Sequence, residues 1–330
     1  MRVGVPVRVI AGPKHGPIVF LSGVIHGDEL NGLGIIREVA FEQALTLKRG
    51  TVIALPVVNV PGMDSHSRYL SDRRDLNRCF PGSAKGSLSS RLANLLYEEV
   101  ILKCDCGLDF HTAAIRRTNY PNIRVDFDQP HALALAKAFG CQLVVHSKGA
   151  EGSLRRTATK AGIPTIVLEA GEVWKIEPGI VELGVQGARR VLGWLGMLEP
   201  LPEPPLPIET IKRTLWIRAE RGGILKFHVV PGQAVRKGQI LATNLDIYGN
   251  HQNQVAAPVE GFILGMATMP AIKPGEPIFH LAVPGRRTAA TIRDPKADLE
   301  VHPESEDLQR ILATNVLVQK TRRSNGTKTS

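Results

Sequence analysis

From Pro17 to Ile25 apolar residues run almost unbroken, PIVFLSGVI, and such a run reads as a strand buried on both faces in a covered parallel sheet. HGDELNG follows, and then a helical pattern to about Lys48. Residues 51–58, TVIALPVV, repeat the buried-strand pattern. Over 88–102 the period changes to that of a helix, with Leu88, Leu92, Leu95, Leu96 and Val100 on one side. Cys106–His111 reads as a short strand entering a loop at Thr112. His131–Phe139 reads as a helix capped by Gly140, and Cys141–His146 as a strand. Leu154–Ala161 is a helix, Thr165–Leu168 a strand, and 179–197 a last amphipathic helix. Strands alternating with helices predict an α/β unit with a mainly parallel sheet and flanking helices.

The pattern then breaks. Residues 198–209, LEPLPEPPLPIE, carry five prolines and read as a stiff linker. Beyond it, 210–284 shows short β-like runs punctuated by glycine and proline, and PGQAVRKGQI is weakly echoed at Lys273-Pro-Gly. That predicts a small all-β module of two similar halves. Its pattern resembles the hammerhead of biotinyl and lipoyl carriers. The hairpin segment Asn244–Asn250 has no lysine to carry a group, so a lid or an assembly surface is expected instead, with Tyr248 near its tip. Residues 285–330 are polar, and the last ten are expected to be disordered. The chain therefore divides into 1–200, a linker at 201–209, a β domain at 210–284 and a tail at 285–330.

Composition narrows the class. With 43% hydrophobic and 22% charged residues over 330 positions, a sizeable core is available. No run of about 18 apolar residues exists and the N-terminus lacks a signal-peptide pattern, so a cytoplasmic protein with no membrane partner is expected. The four cysteines lack zinc-knuckle spacing and read as reduced thiols. The net charge of +10 raises nucleic acid as a partner. Without a long basic block, and with only 5% aromatic residues, a small anionic substrate is the expectation instead. A homo-oligomer is left open.

Four segments carry chemistry. In GVIHGDELNG, His26 and Glu29 stand three apart at a strand-to-helix turn, where an imidazole and a carboxylate reach one metal ion. His111 ends a later strand. Two histidines and one carboxylate suit a catalytic zinc with an open position. Alone, Glu29 would read as a helix N-terminal charge. Asp109, two residues before His111, is read as facing away from it, with support of the histidine and local bonding as equal alternatives. Glu169 ends the strand IVLE and is the natural general base, with Glu172 next by proximity. In DLNRCFPG, Asn77 and Arg78 suit a substrate-carboxylate anchor, and Arg68 upstream suits a donor to a developing oxyanion.

As a set, G-x-x-H-G-D-E-x-N-G, D-L-N-R-x-F-P-G, D-x-H-T and the late E-x-G resemble the succinylglutamate desuccinylase/aspartoacylase family, whose fold is zinc carboxypeptidase-like. The resemblance covers about residues 15–195, and the segment 210–284 is similar to the family's C-terminal β domain. It implies a mixed, mainly parallel sheet and one Zn2+ per chain on His26, Glu29 and His111. It also implies Glu169 as base, Arg68 in the oxyanion role, and Asn77 and Arg78 as anchor. A further substrate arginine is implied before the Glu169 strand, at Arg155 or Arg156. The implied activity is amide hydrolysis of an N-acyl amino acid. A carboxypeptidase-like action on short peptides is the alternative, and a non-catalytic binding protein a third. A small closed site would favour the first and a long open groove the second.

Overall fold

A computed structural model describes residues 4–42, 45–202 and 207–293. The N-terminal part supplies β1 (Arg8–Ala11), β2 (Ile18–Gly23), β3 (Thr51–Leu55), β4 (Cys106–His111), β5 (Arg117–Val125), β6 (Leu143–His146) and β7 (Thr165–Gly171). Between and after them lie α1 (Asn31–Arg37), α2 (Val60–Asp64), α3 (Leu88–Glu99), α4 (Pro130–Phe139), α5 (Leu154–Lys160) and α6 (Pro178–Trp194). Strands β3, β2, β4 and β7 lie side by side in parallel, with β1 antiparallel at the β3 edge.

Burial on both faces explains the unbroken apolar runs. Val19 and Leu21 of β2 enter one core with Ile35, Val39, Ile180 and Val185, on the side of α1 and α6. Phe20, between them, enters the opposite core with Leu55, Leu76, Ala93 and Leu96. A fully buried side chain of this size contributes about 1.5–3 kcal/mol, so both cores hold the strand in register.

Several elements differ from the sequence reading. The first helix ends at Arg37 and passes into a π-helical turn over Glu38–Glu42. Strand β7 runs on to Gly171, so Glu169 lies within the strand, opposite His111 of β4 and Asn122 of β5. Strand β5 has no counterpart in the sequence reading. Its asparagines and Pro121 look like loop residues, but Pro121 falls at a register shift between Asn119 and Asn122, where a ladder can accommodate a missing N–H.

The C-terminal strands are β8 (Glu209–Ile211), β9 (Arg213–Arg218), β10 (Gly223–Phe227), β11 (Ala234–Val235), β12 (Ile240–Leu245), β13 (His251–Ala256), β14 (Gly261–Ala267), β15 (Ala271–Ile272) and β16 (Pro277–Val283). Strands β13, β12, β10 and β15 form a four-stranded sheet. Leu225, Phe227, Leu241, Ile263 and Phe279 give this region its own core. Yet β14 pairs with β5, and β16 and β9 follow it, so the large sheet runs β1-β3-β2-β4-β7-β5-β14-β16-β9. The C-terminal β region thus continues the N-terminal sheet rather than hanging beside it.

Residues 203–206 of the proline-rich linker lie outside the described residues, and β8, at its end, already pairs with β6. The tail opens with a helix, α7 (Arg286–Arg293), and residues 294–330 also lie outside the described set. All four cysteines are free, and burial pushes the Cys104, Cys106 and Cys141 thiols up to about 12. No helix among the described residues is long and apolar enough to cross a membrane.

Candidate active site

The turn after β2 brings His26 and Glu29 together, and β4 delivers His111 beside them. All three are buried, and their ligand atoms lie within 4.8 Å of one another. The two rings meet edge to face, with centroids 5.0 Å apart. His26 Nδ1 lies 2.7 Å from Glu29 Oε1, and His111 Nδ1 lies 2.8 Å from Glu29 Oε2. The far nitrogens are held by carboxylates: His26 Nε2 by Asp75 at 3.1 Å and His111 Nε2 by Asp109 at 2.9 Å. Paired outer carboxylates of this kind fix ring orientation and tautomer in metal-binding histidines, leaving both Nδ1 atoms to face one point. The donor set fits a zinc ion: two imidazoles and one carboxylate, converging and buried.

Asp109 is a correction. Residues two apart on a strand share a face, so Asp109 and His111 point the same way and bond directly. The other Asp109 oxygen accepts from Ser22 Oγ at 2.8 Å, which fixes the carboxylate.

Electrostatics fit the same picture. Burial opposes charge on Glu29, but His26 and His111 hold its carboxyl well below the usual range. Burial likewise opposes charge on the histidines, yet Glu29 and Asp75 raise the pKa of His26, and Asp109 and Glu29 that of His111. Backbone strain accompanies the site, because Val24 adopts φ 54° just before His26. Gly27 permits a close backbone approach, since a Cβ there would sit 2.0 Å from the carbonyl carbon of Gly62. Gly27→Ala must push apart the turn bearing His26 and the segment leading to Arg68. It should cost about 1–3 kcal/mol, read as a shift of the denaturant midpoint.

Glu169 lines the same cavity. Asn119 Nδ2 donates to its Oε2 at 3.1 Å, and Asn122 Nδ2 donates to its backbone oxygen at 3.2 Å. Burial raises its pKa, against the lowering effect of His111 and Arg124. Gly171 ends the segment with φ 75°, and a Cβ there would meet the Glu177 carboxylate at 2.0 Å. That carboxylate accepts from Asn31 Nδ2 at 2.9 Å, and the same amide donates to the Ala170 backbone oxygen at 3.2 Å, which ties the start of α1 to the start of α6 and to the end of β7. Glu172 is engaged elsewhere, accepting from Thr268 Oγ1 at 2.6 Å and pairing with Lys175.

Asn77 lines the cavity, and its Oδ1 accepts from the Leu154 amide at 2.8 Å, which leaves its Nδ2 donors free of that bond. Arg78 stands exposed at the cavity wall, with Nη1 donating to the Asn77 backbone oxygen at 2.6 Å. Arg68 donates to Glu29 at 3.1 Å and to Asp75 at 3.0 Å, and each terminal nitrogen keeps a second N–H. Of the two arginines left open by the sequence, Arg155 lines the cavity. It is buried and donates to the backbone oxygen of Ser147 at 2.7 Å, and burial with the neighbouring Arg124 lowers its pKa to about 10. Arg156 turns away to Glu151 at 2.6 Å.

The cavity measures about 380 Å³ and gathers every sequence-predicted site residue. It also includes residues the sequence reading missed: Arg117, Asn119 and Arg124 of β5, Trp216 of β9 and His280 of β16. The one legible signal among these was the histidine inside the apolar run PIFHLAV. Tyr248, near the hairpin tip, is 83% exposed and does not line the cavity.

Residues 15–195 match the model of the succinylglutamate desuccinylase/aspartoacylase catalytic domain. The chain is 26% identical over 270 residues to the N-alpha-acetyl-L-2,4-diaminobutyric acid deacetylase of Halomonas elongata, covering 78% of each chain. It is similar to the solved succinylglutamate desuccinylase/aspartoacylase from Rhodobacter sphaeroides, with a TM-score of 0.76 and 25% identity over 86% of this chain and 90% of that one. The product-bound ectoine utilization protein EutE (DoeB) from Ruegeria pomeroyi shares the fold, with a TM-score of 0.76 and 24% identity over 85% and 89%.

Proposed function

Because the chain belongs to the succinylglutamate desuccinylase/aspartoacylase family, we propose that it is a zinc-dependent hydrolase that removes the acyl group from a small N-acyl amino acid. The observation that carries this is the cavity of about 380 Å³, in which the His26–Glu29–His111 group, Glu169 and the Asn77–Arg78 pair share one space walled by Trp216 and His280. That volume suits a small amide. The diaminobutyric acid deacetylase similarity supports the same chemistry.

A zinc ion held by His26, Glu29 and His111 would supply Lewis acidity toward water and the amide carbonyl. Asp75 and Asp109 keep the two imidazoles aimed. Glu169 takes the proton of the attacking water and returns it to the leaving nitrogen. Its burial raises its pKa toward neutrality, which suits a group that must both accept and donate. Arg68 offers its remaining N–H groups to the oxygen that gains charge, and Asn77 and Arg78 bind the substrate carboxylate.

The test is release of free amine from N-acyl amino acids and from blocked tripeptides by the purified, zinc-supplied chain. Turnover of at least one N-acyl amino acid above all peptides is the expected result, and preferential peptide cleavage would overturn the deacylase reading. With a substrate in hand, Arg78→Ala removes a charge-assisted contact. It should lower kcat/KM by about 10-fold or more, chiefly through KM.

A further inference from the structure

We propose that Trp174 is a positioning residue for Arg68: its indole latches the loop that carries Arg68 to the turn that carries His26 and Glu29. This rests on the reading of Arg68 as donor to the developing oxyanion and names what holds that donor in place.

Trp174 is 51% exposed, and its backbone is left-handed, with φ 60°. A bulky residue is strained in that conformation, and half in solvent it recovers little from packing, so the geometry needs another cause. Its hydrogen bonds supply one. The Trp174 amide donates to the backbone oxygen of Asp28 at 2.7 Å, between His26 and Glu29. Its indole Nε1 donates to the backbone oxygen of His66 at 3.2 Å, two residues before Arg68. Arg68 in turn donates to Glu29 at 3.1 Å. A closed ring of contacts therefore runs from Trp174 through Asp28 and Glu29 to Arg68 and back through His66. Trp174 itself lies outside the cavity, so it acts through Arg68 and not on the substrate.

The arm that presents the indole is fixed at both ends. On one side of Trp174, Thr268 and Lys175 hold the Glu172 carboxylate. On the other, the Glu177 amide donates to Asn31 Oδ1 at 2.8 Å, and the Glu177 carboxylate accepts from the Glu172 amide at 3.0 Å. The loop it holds carries strain. His66 and Arg73 are left-handed too, with φ 51° and 60°, so a strained residue flanks Arg68 on either side. Such backbone persists only where surrounding contacts over-determine it. The Arg68 backbone oxygen has a long bond, 3.3 Å from Asn59 Nδ2, so the latch at His66 bears on where the guanidinium reaches.

The test combines kinetics and hydrogen exchange on the full zinc-supplied chain. Trp174→Phe keeps an aromatic ring and removes the N–H donor. On the N-acyl amino acid turned over best, it should lower kcat by about 3- to 10-fold and leave KM within about twofold, because the oxyanion donor acts in the transition state. In an Arg68→Gln background the same change should cost less than about twofold, since the group it positions is gone. A merely structural role would slow both backgrounds by the same factor. Amide exchange over residues 65–69, where the Ser67 amide donates to Gly62, should quicken by about threefold or more in Trp174→Phe without substrate. Trp174→Gly, which removes the indole and relieves the left-handed strain, should quicken it at least as much. Equal losses of kcat in the two backgrounds, an unchanged kcat, or unchanged exchange in both variants overturn the proposal. If no N-acyl amino acid is hydrolysed, it is the deacylase reading that fails, and exchange alone judges the latch: faster exchange over 65–69 upholds it, and unchanged exchange overturns it.

Discussion

Chelation should abolish amide hydrolysis by this protein, and one equivalent of zinc per chain should restore it. The buried group of His26, Glu29 and His111 has no purpose in packing: its polar atoms face each other and a cavity rather than apolar neighbours. Without a metal, Glu29 is balanced by Arg68 and by protons on the two histidines, whose pKa values are raised above the ordinary 6.5. Zinc must displace those protons. Its apparent affinity should therefore fall as pH falls through the raised values, with the loss beginning above the range where a free imidazole titrates. His111→Ala removes one of three ligands and should leave substoichiometric zinc and activity below about 1% of wild type. Metal analysis beside the activity assay checks both points. Full turnover in a verified metal-free protein would remove the basis of the mechanism.

Much of this site was legible because the chemistry sits in contiguous motifs. His26, Glu29, Asn77 and Arg78 occur in runs whose spacing states their neighbours, and His111 and Glu169 end or interrupt apolar strands, where a polar residue must have a reason. The parallel part of the sheet was legible for the same cause, since burial on both faces suppresses alternation. What escaped lies on β5, β9 and β16. There a residue becomes part of the site through cross-strand pairing: β5 meets β14, more than a hundred positions along the chain, and β14 in turn meets β16. Nothing local marks Arg124 or Asn119, and Pro121 disguised their strand as a loop. Asp109 failed differently, through the wrong face for a residue two positions away. The single-file division into a catalytic unit and a separate β module also came from composition, which registers the proline-rich boundary but not the pairing of β5 with β14.

Glu169→Gln should keep the fold and the metal while turnover falls by about 100-fold or more. The substitution preserves size and the hydrogen bond from Asn119 in one amide orientation, and it touches none of the three residues of the proposed metal site. What it removes is the ability to take a proton from water and hand it to the leaving nitrogen. With the substrate carboxylate bound at Asn77 and Arg78, as proposed, KM should change far less than kcat. The pH profile adds a second check. Burial raises the Glu169 pKa, so the wild-type kcat/KM should fall on the acid side at a pH above the ordinary carboxylate value of 4.5 as the base becomes protonated. In Glu169→Gln the residual activity should lose that limb, because the group that titrates is gone, while the pH dependence of zinc binding should persist. Normal turnover in a Glu169→Gln protein of proven zinc content would mean that another group moves the proton. Glu172 would not inherit that task, since Thr268 and Lys175 hold its carboxylate outside the cavity.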